Sequence, residues 1–213
     1  MSNVVRGLLV ACAFGMSAPV IAAEAGAAQP FLQGDIKAGE AKAASCAACH
    51  GPKGNSATPA WPKLAGQGAV YAYEQLQHFK EGHRANAVMA PMAAPLSDQD
   101  MQDLAVYFAA QPASPGVASE DAVAIAEPIY RAGIADRGVP ACSGCHGPTG
   151  AGNPAAAYPR LGGQHAEYAQ AQLKAYRAGE RKAGAKGLMM SQVAAELTDE
   201  EIAALATYIS GLQ

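Results

Sequence analysis

Two stretches of the chain, about one hundred residues apart, carry the same pattern of apolar side chains. In each stretch the apolar residues recur at i, i+3, i+4 and i+7, which places them on one face of an α-helix. The two faces are Met101, Leu104, Ala105 and Phe108, and Ile202, Leu205, Ala206 and Ile209. Each stretch also opens with an N-terminal capping pattern, Ser97 with Asp100 and Thr198 with Glu201. The pattern predicts a duplicated helical unit.

Other short amphipathic segments precede these two helices. They predict helices over residues 35–44, 70–80 and 122–132. Residues 85–95 are rich in Ala, Met and Pro and are expected to form a loop that carries methionine. No alternating apolar and polar run typical of a β-strand is present, so an all-α fold is expected.

The similarity between the two halves extends beyond the helices. The matching pairs are Pro62-Lys63-Leu64 with Pro159-Arg160-Leu161, Gly66-Gln67 with Gly163-Gln164, Tyr71 with Tyr168, and Gly82 with Gly179. A duplicated unit of 90–100 residues explains them, since solenoid repeats are shorter. Residues 24–111 and 120–213 are therefore expected to be two domains, joined by the Pro- and Gly-containing linker 112–119.

The N-terminus resembles a secretory signal. Arg6 is followed by an apolar run over residues 7–16, and small residues follow at Ala22 and Ala23. We expect a signal peptide over residues 1–23 and export to the periplasm. Cys12 lies inside this segment, and the sequence around it also resembles a lipoprotein signal, which would make Cys12 a lipid anchor.

The net charge of −3 is small for 213 residues, and neither half is rich in basic residues. A nucleic-acid partner is therefore not expected. No other apolar run is long enough to span a bilayer.

The strongest chemical signal is the motif C-x-x-C-H, which occurs twice, as Cys46-Ala-Ala-Cys49-His50 and as Cys142-Ser-Gly-Cys145-His146. It is the attachment site of a c-type haem. Thiols at i and i+3 lie on one face of a helical turn, where both can form thioethers with the haem vinyl groups. The histidine that follows can then bind the iron. The alternatives are a redox disulfide and half of a zinc site. A thioredoxin-like redox motif is expected near a βαβ pattern, and no β-rich runs are seen; a zinc site does not need His directly after the second Cys in both copies.

The repeat also selects the second axial ligand of each iron. When Leu96 is aligned with Leu197, Met89 and Met190 each lie seven residues before the leucine, and only these methionines occur in both copies. They are the expected distal ligands, with Met92 as the main competitor and Met189 as a neighbour. His78, His83 and His165 have no histidine at the matching position, and we expect them to be surface or partly buried residues.

The chain resembles the dihaem cytochrome c4 family over nearly all of residues 34–213. The resemblance rests on the two motifs, on residues 62–68 (PKLAGQG), on residues 96–100 (LSDQD) and on residues 161–165 (LGGQH). It implies a tandem duplication of a class I cytochrome c domain, each copy wrapping one covalently bound haem. It also implies His50 and His146 as proximal ligands, Met89 and Met190 as distal ligands, and Cys46, Cys49, Cys142 and Cys145 as attachment residues.

These features predict a periplasmic electron carrier and not an enzyme. Methionine is a soft ligand that raises the reduction potential and closes the sixth position to O₂ and peroxide. The resemblance implies a terminal oxidase and an upstream donor as redox partners, and leaves peripheral membrane association open. The alternatives are the cytochrome subunit of a larger dehydrogenase and, with less support, a dihaem peroxidase, which needs one open iron.

Overall fold

A computed structural model describes Met1 and residues 32–213. Cys12 and, apart from Met1, the predicted signal peptide lie outside these residues. The described part is helical and contains two isolated β-bridges but no β-strand. No helix among the described residues combines the length and apolarity needed to cross a bilayer.

The N-terminal unit has five α-helices and one 3₁₀ turn. They are α1 (Ile36–Ala43), α2 (Ala47–His50), a 3₁₀ turn (Pro52–Gly54), α3 (Ala69–Lys80), α4 (Met89–Ala93) and α5 (Asp98–Ala109). Helix α5 packs against α1 and α3. Gly39 allows the close crossing of α1 and α5, because a Cβ there would lie 2.1 Å from the Asp103 carbonyl oxygen.

The C-terminal unit repeats this arrangement. Its elements are α6 (Glu120–Ala132), a 3₁₀ turn (Ala135–Arg137), α7 (Ser143–His146), a 3₁₀ turn (Pro154–Ala156), α8 (Ala166–Arg177), α9 (Gly184–Ala195) and α10 (Asp199–Gly211). Helix α10 packs against α6 and α8, as α5 packs against α1 and α3. The fully buried Ile202 and Leu205 lie in this core.

The sequence located the helices that form the core. The apolar face of α10 is buried at each predicted position, as is that of α5, and both capping boxes are present. Ser97 and Thr198 each accept a hydrogen bond from the backbone N–H three residues on, while Asp100 and Glu201 accept from the N-cap backbone.

The loop predicted over residues 85–95 is corrected, because it contains a short helix, and the matching methionine of the second repeat also lies in a helix. Met89 begins the five-residue helix α4, and Met190 lies within the twelve-residue helix α9. The second segment (GAKGLMMSQVAA) contains no proline and has three Ala and two Met, together with single Leu, Gln and Lys residues, all of which favour helix. The first has Pro91 inside it and Pro95 after it, which limits the helix to a few residues.

Candidate functional site

All eight residues predicted from the repeat line one cavity of ≈ 960 Å³. It is formed by both units and contains the attachment cysteines, the proximal histidines, and both Met89 and Met190. The volume is at the upper end of the usual range for ligand pockets, about 300–1,000 Å³. The structure thus places the residues of the two repeats around one shared space.

Each C-x-x-C-H motif forms a single helical turn. The His50 N–H donates to the Cys46 carbonyl and the His146 N–H donates to the Cys142 carbonyl, each at 2.9 Å. This bond between i and i+4 brings the two thiols of each motif to one side of the turn. The glycine that follows each histidine has a φ near +75°, a conformation that ends the helix at little cost only for glycine.

None of the four motif cysteines is paired in a disulfide. Burial raises the pKa of Cys142 to about 11, and burial also raises the pKa of Cys46. Both groups are therefore protonated near neutral pH, which disfavours their use as metal-binding thiolates.

The two motif histidines are prepared as neutral ligands. Both are buried, and the ring Nδ1 of His50 lies 2.8 Å from the Pro62 carbonyl oxygen while that of His146 lies 3.0 Å from the Pro159 carbonyl oxygen. When Nδ1–H donates to the carbonyl, Nε2 keeps its lone pair for a metal. Burial lowers the pKa of both imidazoles, although the carbonyl contact opposes this, so the neutral form is favoured.

The methionines are held in two different ways. The Asn86 side-chain oxygen accepts hydrogen bonds from the backbone N–H groups of Val88 (3.0 Å) and Met89 (2.8 Å). In the other unit the matching position is Gly187, which is buried against the backbone of residues 181 and 182. A Cβ at Gly187 would lie 2.8 Å from the Lys182 carbonyl carbon.

The alternative ligand candidates lie in varied surroundings. Met92 (44% exposed) and Met189 (42% exposed) are among the exposed large apolar residues. The exposed His83 pairs with Glu81. The His165 ring Nε2 lies 2.9 Å from the Ser56 carbonyl oxygen, so this histidine joins the two units.

A matched pair of glutamines also joins the two units. Gln67 donates from Nε2 to the Arg160 carbonyl (3.0 Å) and accepts from the Arg160 backbone N–H (2.8 Å). Gln164 makes the same two bonds with the backbone of Lys63, each 2.9 Å long. The Gln67 and Gln164 contacts are therefore related by a pseudo-twofold axis, which explains why both copies keep the motif Gly-Gln.

Sequence reasoning missed two buried arginines at this interface. Arg84 hydrogen-bonds to the Tyr168 hydroxyl oxygen at 2.9 Å and Arg181 to the Tyr71 hydroxyl oxygen at 3.2 Å, in each case across the interface. The sequence contained a usable signal, since Arg84 and Arg181 stand at the same spacing as Tyr71 and Tyr168.

The described residues fit two haem c groups. Each half presents two unpaired thiols on one turn, a buried neutral imidazole and a methionine on the wall of a largely apolar cavity. A bound haem c supplies an iron that changes its charge by one electron. The chain supplies attachment, ligands and exclusion of water.

Comparison with known proteins decides the family. The sequence model described as "Cytochrome c" matches residues 36–111 and again residues 135–213. Cytochrome c4 of Thiocapsa roseopersicina is 52% identical over 181 residues, which cover 84% of this chain and 93% of that protein. The chain belongs to the cytochrome c4 family. It is accordingly a dihaem electron carrier with two covalently attached haem c groups.

Two further similarities bear on this family. The crystal structure of reduced recombinant cytochrome c4 from Pseudomonas stutzeri superposes with a TM-score of 0.82 at 46% identity, covering 84% of this chain and 100% of that one. A protein of Stutzerimonas stutzeri strain A1501 named "Thiosulfate dehydrogenase electron acceptor" is 39% identical over 174 residues, which cover 80% of each chain. It is more distant than the cytochrome c4 relatives.

Proposed function

We propose that the chain is a periplasmic carrier in which His50 and Met89 bind one iron and His146 and Met190 bind the other. The proposal is supported by the cavity, which both sets line together with Met92 and Met189, and by the repeat, which singles out Met89 and Met190. Each set combines a histidine whose Nδ1 faces a proline carbonyl with the one methionine that both repeats share. Histidine with methionine gives a six-coordinate iron suited to electron transfer without chemistry at the metal.

The division of the chain follows from the same proposal. Residues 24–111 and 120–213 form the two domains, and residues 112–119 connect them. The two matched ranges of the cytochrome c model support this division, since one lies within each half. The signal peptide over residues 1–23 rests on the sequence pattern alone, and periplasmic export depends on it.

The redox partners of the chain are the second part of the proposal. We propose that the chain passes electrons from an upstream donor toward a terminal oxidase and that it does not catalyse a reaction itself. A second candidate is the electron-accepting subunit of a dehydrogenase. It is favoured by the relative named "Thiosulfate dehydrogenase electron acceptor" and is weakened by that relative's lower identity. Fold does not separate the two.

The test of the ligands is optical. The exported protein should contain two covalent haems, show a weak far-red methionine–iron band when oxidised, and bind no CO when reduced. Met89→Ala and Met190→Ala should each remove about half of that band, while Met92→Ala and Met189→Ala, as controls, leave it intact. Rapid CO binding at one haem of the unmodified protein would instead support the peroxidase.

The test of the partners is kinetic. Reduced protein is mixed with membranes that contain a terminal oxidase, and the oxidised protein is mixed with thiosulfate and a thiosulfate dehydrogenase. Fast cyanide-sensitive oxidation without reduction in the second mixture supports the carrier. Fast reduction in the second mixture alone supports the dehydrogenase subunit.

A further inference from the structure

Arg84 and Arg181 form a closed ring with two glutamines at the centre of the interface between the units. The Gln75 Oε1 atom accepts from Arg84 Nη1 (2.9 Å) and from Arg181 Nη2 (3.0 Å). The Gln172 Oε1 atom accepts from Arg181 Nη1 (2.7 Å) and from Arg84 Nη2 (2.8 Å). The donating nitrogens of the two guanidinium groups are therefore separated by no more than two hydrogen-bond lengths.

These two charges are buried and have no anionic partner in the described residues. Each arginine is 8% exposed, and none of the ion pairs found among these residues includes either one. Their guanidinium groups lie over aromatic rings, Arg84 at 4.5 Å from Phe79 and Arg181 at 4.4 Å from Tyr176. Such contacts compensate only part of the cost of burying a cation, which normally requires an anion.

The pKa of the neighbouring Tyr71 also indicates a positive potential at this ring. The Tyr71 phenol is buried, which by itself raises its pKa, but the guanidiniums of Arg181 and Arg84 lower that pKa below its usual value. The nearest acid on the same helix, Glu74, is already paired with Lys186 at 3.3 Å. No ion pair among the described residues thus neutralises the charge of the ring.

Both arginines also have unused donors on the cavity wall. Each makes three hydrogen bonds to the groups of the ring and to a tyrosine hydroxyl, while a guanidinium has five N–H groups. Both residues line the cavity that contains the attachment cysteines and the axial ligand candidates of the two repeats. Planar paired donors of this kind match carboxylate oxygens.

We propose that Arg84 and Arg181 form one anion site, shared by both haems, that binds their propionate carboxylates. The inference rests on the proposed arrangement of ligands, and it adds a functional consequence. A cation near an iron disfavours the ferric state, which carries one more positive charge. A cation pair shared by two haems therefore raises both reduction potentials together, and loss of either arginine lowers both.

The test is a potentiometric titration of Arg84→Gln and Arg181→Gln in the fully loaded protein. Both one-electron waves should move to lower potential in each variant, by about tenfold in each reduction equilibrium, which is the order expected for removal of one partly buried unit charge. A tenfold change in a one-electron couple is about 59 mV. Arg177→Gln is the matched control, since Arg177 pairs with Asp199 and does not line the cavity.

The conservative variants separate charge from geometry. Arg84→Lys and Arg181→Lys keep the charge but lose the planar donors, so both waves should fall by less than in the glutamine variants. If the glutamine variants do not load haem, the lysine variants decide alone. A shift of both waves in the same direction is then required.

The outcomes also separate this inference from the ligand assignment. A shift in one wave only, or in neither, contradicts the shared site. The far-red band and CO binding are recorded on the same samples. An intact band with unmoved potentials refutes the anion site but leaves the axial ligands standing, whereas loss of methionine ligation in the unmodified protein refutes the ligands.

Discussion

Removal of the Asn86 side chain should weaken the proposed bond between Met89 and its iron without affecting the other haem. Asn86 holds the start of α4 through two hydrogen bonds to backbone N–H groups, including the N–H of Met89 itself at 2.8 Å. Helix α4 has five residues and cannot stabilise itself, because isolated helices shorter than about 12 residues are marginal. The cap therefore supplies much of the local order around the ligand.

The size of the effect follows from this cap. Replacing a capping Asn by Ala costs about 1 kcal/mol. Since about 1.4 kcal/mol corresponds to a factor of ten, Asn86→Ala should raise the fraction of N-terminal haem without methionine about fivefold. Asn86→Asp keeps the acceptor oxygen and should behave like the original protein.

The assay is a titration of the oxidised protein with imidazole, in which the loss of the far-red methionine–iron band is measured. Half of the band should disappear at about fivefold lower imidazole concentration, and the other half should titrate as before. Asn153→Ala is the control, because Asn153 caps a 3₁₀ turn that does not carry methionine. Equal weakening of both halves, or an Asp variant that matches the Ala variant, would refute the reasoning.

Three further changes test the packing, the charge and the interface. Gly187→Ala places a Cβ 2.8 Å from the backbone of the preceding turn and should lower the free energy of unfolding by about 1–3 kcal/mol and weaken methionine ligation in the C-terminal unit. Gly68→Ala, whose Cβ would make only an ordinary contact at 3.9 Å, should change neither. The pKa of Asp100 is held at about 2, below its ordinary 3.8, by its hydrogen bonds at the start of α5. The unmodified protein should therefore be more stable than Asp100→Asn above about pH 4, and this difference should disappear as the pH falls to 2. Urea unfolding at several pH values measures the difference, and a constant value would contradict the prediction. Gln67→Ala and Gln164→Ala each remove two hydrogen bonds between the units and should each lower the free energy of unfolding by about 2 kcal/mol. In calorimetry the double variant should show two unfolding transitions where the unmodified protein shows one. A single unchanged transition would show that other contacts join the units.

Much of the site could be predicted because its logic is local or repeated. Cys46, Cys49 and His50 act through spacings of three and four residues, which a single helical turn converts into one chemical face whatever the rest of the chain does. The proposed distal methionines are far from these residues in sequence, and only the comparison of two copies singled out Met89 and Met190. The burial of the α5 and α10 faces follows equally directly from their period.

The helices that carry the methionines could not be placed in the same way. Residues 85–95 and 184–195 contain small residues and methionine without a clear amphipathic period, so propensity and proline decide their structure. The two segments share a ligand position but differ in support, Asn86 in one and Gly187 in the other. A shared spacing does not reveal how each copy is held.

The sequence by itself thus determined two helical units and two haem attachment motifs, and it singled out Met89 and Met190 as the proposed axial ligands, because each depends on residues in one turn or on identity between copies. Only the tertiary structure decided how the units meet. Arg84 contacts Tyr168, and Arg181 contacts Tyr71, across 84 and 110 positions of the chain. The repeat shows that such residues recur in both halves. The same repeat would be seen whichever faces of the two units were in contact, so it does not predict the interface. The buried charge between them is therefore a property of the assembled fold.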